Sequence, residues 1–182
     1  MTERPHTAHT FELGPAALAE IRAFLDEVFE GDFSDDDWDH SLGGVHALVR
    51  DEAGAPVAHG SVTQRRVLLG GRSYRVGYVE AVAVRPDRRR QGLGGQVMAA
   101  LEAVIDGAYT AGALSASDEG ESLYRARGWR PWPGRIEVLA PGGVRRLPDE
   151  EGNTYLRPAA GHALPGPEAG PLVFDWRDGD VV

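Results

Sequence analysis

Apolar and polar residues alternate with two different periods along the chain, which predicts a mixture of helices and strands. Apolar side chains recur three or four residues apart over 18–28 and again over 93–105, so two amphipathic helices are expected there. Segments 57–69 and 72–84 have the composition of β-strands. The Gly70-Gly71 pair between them predicts a hairpin.

Shorter segments complete the pattern. Ser34 is a predicted N-cap for a short acidic helix, and a further helix, capped by Ser117 or Asp118, is expected through Tyr124 and Arg127. Short strands are predicted at 46–50, 111–116, 136–139, 153–156 and 172–176. Because the sequence contains no repeat and no long linker, we expect one α/β domain spanning residues 1–182.

Composition excludes several chemistries. The chain has 182 residues, no cysteine and no lysine, so thiolate catalysis, cysteine metal sites, Schiff bases and a Walker lysine are ruled out. The six histidines lack ligand spacing, and no metal is expected. Apolar runs are too short for a membrane span, and residues 1–10 do not resemble a signal peptide, so a cytoplasmic protein is expected.

The charge is unevenly distributed. The net charge of −9 argues against nucleic-acid binding, although eight arginines fall between Arg65 and Arg90. This basic region could suit an anionic ligand, while the more acidic remainder could attract a cationic one.

The segment 82–95 carries the strongest chemical signal. A predicted strand ends at Pro86-Asp87, and the glycine-rich run Gly92-Leu93-Gly94-Gly95 leads into a helix. Free N–H groups at a helix start, beside arginines, suit a phosphate. A Rossmann turn fails because Val97 occupies the third glycine position. A plain strand–helix connection stays open as the alternative.

These residues resemble motif A of the GNAT acetyltransferases, through Arg89-x-x-Gly92-x-Gly94 preceded by Val82-x-Val84-x-Pro86. The resemblance implies the GNAT fold, a central mixed and mostly antiparallel sheet flanked by helices. It also implies acetyl-CoA as cosubstrate, with the strand pairing to pantetheine and the loop holding the pyrophosphate. The implied coenzyme-binding residues are Ala81, Val82, Ala83, Val84, Arg89, Arg90, Gln91, Gly92, Leu93, Gly94 and Gly95.

A second family element is similar to segment 123–129, Leu-Tyr-Arg-Ala-Arg-Gly-Trp. It implies that Tyr124 is the acid for the coenzyme A thiolate, and the resemblance makes the Val82 N–H the oxyanion donor. Glu80, on the strand before the loop, is the candidate base for the amine, acting directly or through water. A salt-bridged strand glutamate and a packed aromatic remain the alternatives for Glu80 and Tyr124.

The resemblance narrows to the aminoglycoside 2'-N-acetyltransferases over nearly the whole chain. It is carried by segments 31–33, 37–48, 64–66, 77–80, 107–109, 112–115, 123–132, 138–141 and 175–181. Aminoglycosides are polycations, and a site for them needs several carboxylates. The implied substrate contacts are Asp32, Asp37, Glu80, Ser115, Glu150, Asp180 and Val182.

Two of these positions depart from the family. Glu150 stands in place of an aspartate, and the chain ends in Val182 instead of an aromatic residue. The acidic run around Asp37 is also compatible with a solvated helix start. The resemblance implies a homodimer. A GNAT enzyme acting on another amine (another aminocyclitol, a polyamine or a peptide) and a non-catalytic coenzyme A sensor stay open as alternatives. A nucleic-acid-binding module is the weakest alternative.

Overall fold

The computed structural model describes residues 5–182 and confirms the α/β class. The helices are α1 Pro15–Val28, α2 Asp35–Ser41, α3 Leu93–Ala108 and α4 Glu121–Ala126. The strands are β1 His6–His9, β2 Val45–Arg50, β3 Pro56–Leu69, β4 Arg72–Val84, β5 Ala111–Ser115, β6 Arg130–Pro131, β7 Ile136–Ala140, β8 Gly143–Arg146, β9 Thr154–Pro158 and β10 Leu172–Asp175. Within the described residues, no helix has the length and apolar character needed to cross a membrane.

Contacts divide the described chain into two compact units, and strands β3 and β4 contribute to both. The first unit comprises the described residues up to Thr63 together with Val79–Val104. The second comprises Gln64–Tyr78 together with Ile105–Val182.

The first unit contains helices α1, α2 and most of α3, together with β1, β2 and the first half of β3, which pair with one another antiparallel. Strand β2 pairs with β1 on one side and with the first half of β3 on the other. Helix α1 begins with Pro15 at its first position and buries Ile21 and Leu25 against Leu48 of β2. Strand β3 approaches α3 closely at Gly60, where a Cβ atom would lie 2.8 Å from Val97 Cγ1.

The second unit contains a mixed sheet in the order β6-β9-β5-β4-β3-β10-β7-β8. The pairs β4–β5 and β10–β7 are parallel, and β10–β3, β5–β9, β6–β9 and β7–β8 are antiparallel. This confirms the predicted mixed, mostly antiparallel pairing. Its core includes Tyr78, Ile136 and Phe174, each at most 1% exposed, and Tyr78 meets Phe174 edge-on.

Most predicted elements are confirmed, with five corrections. The N-cap of α4 is Gly120 instead of Ser117 or Asp118, although Ser117 Oγ accepts a hydrogen bond from the Gly120 N–H. Helix α3 extends beyond the predicted range 93–105, to Ala108. Strands β1, β6 and β8 are additional to the predicted strands. All three are short and expose side chains, so they carry little hydrophobic pattern.

Candidate active site

The connection from β4 to α3 is braced by its own side chains. Pro86–Arg88 forms a short 3₁₀ helix, and Arg85 pairs with Asp87 at 2.7 Å. Arg88 Nε donates to Gln91 Oε1 at 3.2 Å, while Gln91 Nε2 donates to the Asp87 carbonyl at 3.3 Å. These bonds give the loop a defined shape.

The backbone of this loop alternates in the manner of an anion-binding concavity. The φ angle is −63° at Arg89, +59° at Arg90 and +81° at Gly92, and Gln91 is not among the positive-φ residues. Alternating signs of φ turn successive N–H groups toward one point. Arg89, Arg90, Gln91 and Gly92 are exposed. The geometry therefore suits a phosphate group.

Helix α3 starts directly after this turn and adds further donors. Leu93 is 5% exposed and anchors the first turn. The N–H groups of Leu93, Gly94 and Gly95 belong to that first turn, where no intrahelical carbonyl can accept from them. The positive end of the helix dipole favours an anion at the same place.

Strand β4 contains a sharp backbone irregularity beside Glu80. Ala81 has a φ of +48°, a left-handed conformation that is uncommon for a residue with a Cβ. His59 lies against this irregularity, since its Nδ1 is 3.0 Å from the Ala81 carbonyl oxygen. Glu80 itself is half-buried. The predicted pantetheine-pairing residues 81–84 thus begin at a bulge-like kink.

The acidic segment before β2 has a structural explanation for part of its charge. Asp37 Oδ2 accepts hydrogen bonds from the Ser34 N–H and hydroxyl, both at 2.8 Å, which forms a capping box at the start of α2. Asp35 pairs with Arg22 at 3.0 Å. Asp32 is exposed. Asp37 therefore caps the helix, and that role is compatible with the predicted substrate contact.

Tyr124 lies on α4 and is only 8% exposed. Gly120 makes room for its ring, because a Cβ there would lie 2.8 Å from Tyr124 Cε2. Burial raises the pKa of Tyr124 to about 12, so the phenol stays protonated near neutral pH. Its hydroxyl can therefore donate a hydrogen bond.

The second unit brings three of the predicted substrate residues together. Ser115 Oγ donates to Glu150 Oε2 at 3.2 Å. Burial, and then the negative charge of Asp180, raise the pKa of Glu150 above its ordinary value. Ser115 and Asp180 are exposed and Glu150 is half-buried, so the cluster is polar, acidic and open to solvent, which suits an ammonium group.

Two arginines fix the chain end beside this cluster. The Arg65 guanidinium, 4% exposed, pairs with Asp175 Oδ1 at 2.7 Å and donates to the carbonyls of Asp175 and Val181. Arg177 Nε donates to the Asp180 and Val181 carbonyls at 3.0 and 3.1 Å. Val182 is 4% exposed and packs in the core of the second unit.

Sequence reasoning missed the histidine pair His46 and His59 and the anchoring arginines Arg65 and Arg177. Both histidines lie within continuous buried runs of β2 and β3, so a histidine inside a predicted strand was the one available signal. Within residues 5–182, no group of three or more histidine, aspartate or glutamate side chains is placed to hold a metal ion.

Comparison with known proteins gives consistent matches. A family profile described as "Acetyltransferase (GNAT) domain" matches residues 12–132. A curated relative, the aminoglycoside 2'-N-acetyltransferase of Mycolicibacterium fortuitum, is 48% identical, and the match covers 97% of this chain and 92% of that protein.

Solved structures share the fold at low sequence identity. A GNAT family N-acetyltransferase (YhbS) from Escherichia coli in complex with CoA has a TM-score of 0.65 and 16% identity, covering 98% of this chain and 92% of its own. A probable N-acyltransferase from Enterococcus faecalis V583 has a TM-score of 0.60 and 15% identity, covering 74% of this chain. The present chain spans about a third of that larger protein (34%).

Proposed function

Because the chain belongs to the GNAT acetyltransferases, we propose that it transfers the acetyl group of acetyl-CoA to the 2'-amino group of aminoglycosides. The observation that carries this proposal is the 48% identity to an aminoglycoside 2'-N-acetyltransferase over 97% of the chain. The acidic cluster of Ser115, Glu150 and Asp180 and the net charge of −9 support a cationic acceptor. Antibiotic resistance, or self-protection in a producer, is the proposed consequence.

The donor is held by backbone groups more than by side chains. Residues 81–84 pair with the pantetheine arm as a strand would. The N–H groups from Arg90 to Gly95 surround the pyrophosphate, and the exposed arginines of the loop neutralise its charge. The alternating φ angles at Arg89, Arg90 and Gly92 support this assignment.

Three groups carry the chemistry. Glu80, directly or through a water molecule, accepts a proton from the ammonium form of the acceptor, because only the neutral amine can attack the thioester carbonyl. The Val82 N–H donates to the thioester oxygen as negative charge develops there. Tyr124 donates its proton to the sulfur as the carbon–sulfur bond breaks. The second proton of the amine nitrogen, released as the amide forms, replaces the proton on the phenol, so that coenzyme A leaves as the thiol. Transfer is direct, without an acetylated enzyme.

The acceptor is held by carboxylates. The proposed contacts are those that the family resemblance implies: Asp32, Asp37, Glu80, Ser115, Glu150, Asp180 and the Val182 carboxylate. Several such groups distinguish a polycation from a simple amine, since each ammonium group pairs with its own carboxylate.

We further propose that the protein is a cytoplasmic homodimer and that it does not bind nucleic acid. Light scattering measures the mass of the particle and so tests the dimer.

The test is release of coenzyme A thiol from acetyl-CoA in the presence of different amines. The panel contains aminoglycosides with a 2'-amino group, matched compounds with a 2'-hydroxyl, and simple polyamines. Turnover limited to the 2'-amino compounds is expected. Turnover with polyamines alone would contradict the proposed acceptor while keeping an acetyltransferase.

The variant Glu80→Gln separates an enzyme from a coenzyme A sensor. Loss of the base should slow thiol release by roughly 10²-fold or more while the dissociation constant of coenzyme A, measured by calorimetry, stays the same. Glu52→Gln is the matched control, since Glu52 is an exposed turn residue with no role in the proposed chemistry. Tight coenzyme A binding without turnover in the unmodified protein would indicate a sensor instead.

A further inference from the structure

A chain of hydrogen bonds runs through the interior of the first unit without serving any role described above. Thr10 Oγ1 lies 2.9 Å from His46 Nε2, and His46 Nδ1 lies 3.0 Å from His59 Nε2. His59 Nδ1 then lies 3.0 Å from the carbonyl oxygen of Ala81. Both rings are buried, at 1% exposure for His46 and 0% for His59. Two polar rings in a core need an explanation, because burying them is costly unless every nitrogen is paired.

One arrangement of protons satisfies every atom of this chain. A carbonyl oxygen can only accept, so His59 Nδ1 must carry the proton that it shares with Ala81. In a neutral ring the opposite nitrogen is then an acceptor, and His46 Nδ1 must donate to it. His46 Nε2 in turn accepts from the Thr10 hydroxyl, whose single proton then does not go to the Gly44 carbonyl 3.2 Å away. That carbonyl still accepts a hydrogen bond from the Thr10 N–H at 2.9 Å. The direction of every bond follows from the last acceptor.

The electrostatics agree with two neutral rings. Burial, followed by the charge of His9, lowers the pKa of His46 to about 4. Burial, followed by the charge of His46, lowers the pKa of His59 to about 3, against the opposing effect of its bond to Ala81. Near pH 7 each ring therefore has one N–H and one free lone pair, as the bond directions require.

The last bond ends on a peptide unit that the proposed reaction uses. The Ala81 carbonyl and the Val82 N–H belong to one planar trans peptide, so whatever orients the oxygen also orients the N–H. This peptide follows a left-handed residue, Ala81 at φ +48°, a conformation that needs support from its surroundings. A hydrogen bond donated to the carbonyl also polarises the peptide and strengthens its N–H as a donor.

We propose that His46 and His59 are positioning residues that fix and polarise the Ala81–Val82 peptide, so that the Val82 N–H is aimed at the thioester oxygen. This inference rests on the proposed function for the role of Val82. Neither ring touches a reacting atom, and the Thr10 hydroxyl completes the chain at its other end by donating to His46 Nε2. The direction of the Val82 N–H is thereby fixed by buried residues and does not depend on how the amine substrate binds.

A matched pair of variants at His59 tests this role. Asparagine places an N–H close to the position of His59 Nδ1, whereas leucine has nearly the same shape and no donor. Removing an oxyanion donor outright costs about 10²–10³ in kcat, so weakening one through its carbonyl should make His59→Leu about 10- to 100-fold slower. His59→Asn should stay within about threefold of the unmodified enzyme, because the bond to Ala81 is retained. The dissociation constant of coenzyme A should change by less than about twofold in both, since the pyrophosphate loop is untouched.

A structural role alone would affect the two variants alike, because both lose the acceptor of His46. Equal kcat values for His59→Asn and His59→Leu, or losses that appear only in the KM for acetyl-CoA, would overturn the proposal. Circular dichroism and coenzyme A binding establish that each variant is folded before kcat is compared.

A second measurement needs no amine, and its first part needs no variant. Nitrogen-15 NMR of the histidines in the unmodified protein reports which ring nitrogen is protonated. We expect His46 and His59 to be neutral with the proton on Nδ1, and the Val82 amide proton to shift in His59→Leu but not in His59→Asn. A proton on Nε2 of His59 would overturn the relay even in an active enzyme. A protein with this tautomer that acetylates no aminoglycoside would instead refute the proposed function.

Discussion

Tyr124 is better suited to donating a hydrogen bond than to releasing a proton by itself. Its pKa is raised to about 12 by burial, whereas an ordinary thiol has a pKa of about 8.5. Complete proton transfer from this phenol to a thiolate is therefore uphill. The tyrosine can stabilise the departing sulfur throughout bond cleavage, and it delivers its proton only when another proton replaces it.

Replacing Tyr124 with phenylalanine should lower kcat for acetyl transfer by roughly 10²-fold, because the leaving thiolate loses its donor. Coenzyme A affinity should persist, since the ring still fills the space left by Gly120. Stopped-flow or steady-state thiol release measures the change. Tyr109→Phe, at a half-buried tyrosine just after α3, is the control and should retain full activity. Unchanged kcat in Tyr124→Phe would remove the tyrosine from the chemistry.

The raised pKa of Glu150 makes binding of the amine substrate depend on pH. Its pKa is raised first by burial and then by Asp180, so part of its population is protonated at a higher pH than for a free glutamate. A bound ammonium favours the carboxylate and lowers that pKa again. Acceptor binding should therefore release a proton and weaken as the pH falls through the raised pKa.

Calorimetry in buffers of different ionisation enthalpy measures this proton release, which should reach up to about one proton per site from Glu150. The variant Glu150→Gln keeps the shape of the side chain and the hydrogen bond with Ser115 but cannot titrate. The number of protons released on acceptor binding should therefore be smaller in this variant by the contribution of Glu150. Identical proton release and identical pH dependence in the two proteins would place Glu150 outside the acceptor site.

Helix α3 and strand β3 pack tightly against each other at one glycine. Gly60 lies against α3, where a Cβ would be 2.8 Å from Val97 Cγ1 and 3.1 Å from Leu101 Cδ1. Gly107 lies in the last turns of the same helix with open space around it. The close approach of β3 to α3 requires a glycine at Gly60, whereas Gly107 makes no such contact and only weakens the helix.

Gly60→Ala should therefore lower the free energy of unfolding by about 1–3 kcal/mol through overpacking. Gly107→Ala, the matched control in α3, should raise it by about 0.5–1 kcal/mol through reduced backbone entropy. Urea denaturation followed by circular dichroism compares the two. Equal effects of the same sign would mean that the close packing at Gly60 does not determine stability.

The elements that sequence predicts well are those whose signals are local. The Pro15 start of α1, the Ser34 cap of α2 and the glycine pair of the β3–β4 hairpin all act within a few residues. Strands β6 and β8 depend on their neighbours for pairing, with two and four residues respectively, and their side chains are largely exposed. Nothing in their own pattern distinguishes them from loops.

For the whole molecule, the parts of the site that can be predicted from sequence are again those formed by neighbouring residues. The loop from Arg89 to Gly95 is contiguous, so a motif in the sequence is sufficient to indicate it. The His46–His59 chain and the Arg65 anchor on Asp175 join residues far apart in sequence, and only folding brings them together. Asp37 shows that a local signal can also be ambiguous. Its capping bond with Ser34 involves close neighbours, yet the acidic pattern alone did not distinguish a helix cap from a substrate contact.

The measurement that tests the account most directly is the structure of the acetylated product. An aminoglycoside carrying both 2'- and 6'-amino groups would be incubated with the protein and acetyl-CoA, and the product analysed by two-dimensional NMR. The account predicts a single acetyl group, on the 2' nitrogen. Acetylation at another nitrogen, or a mixture of positions, would contradict the proposed acceptor orientation.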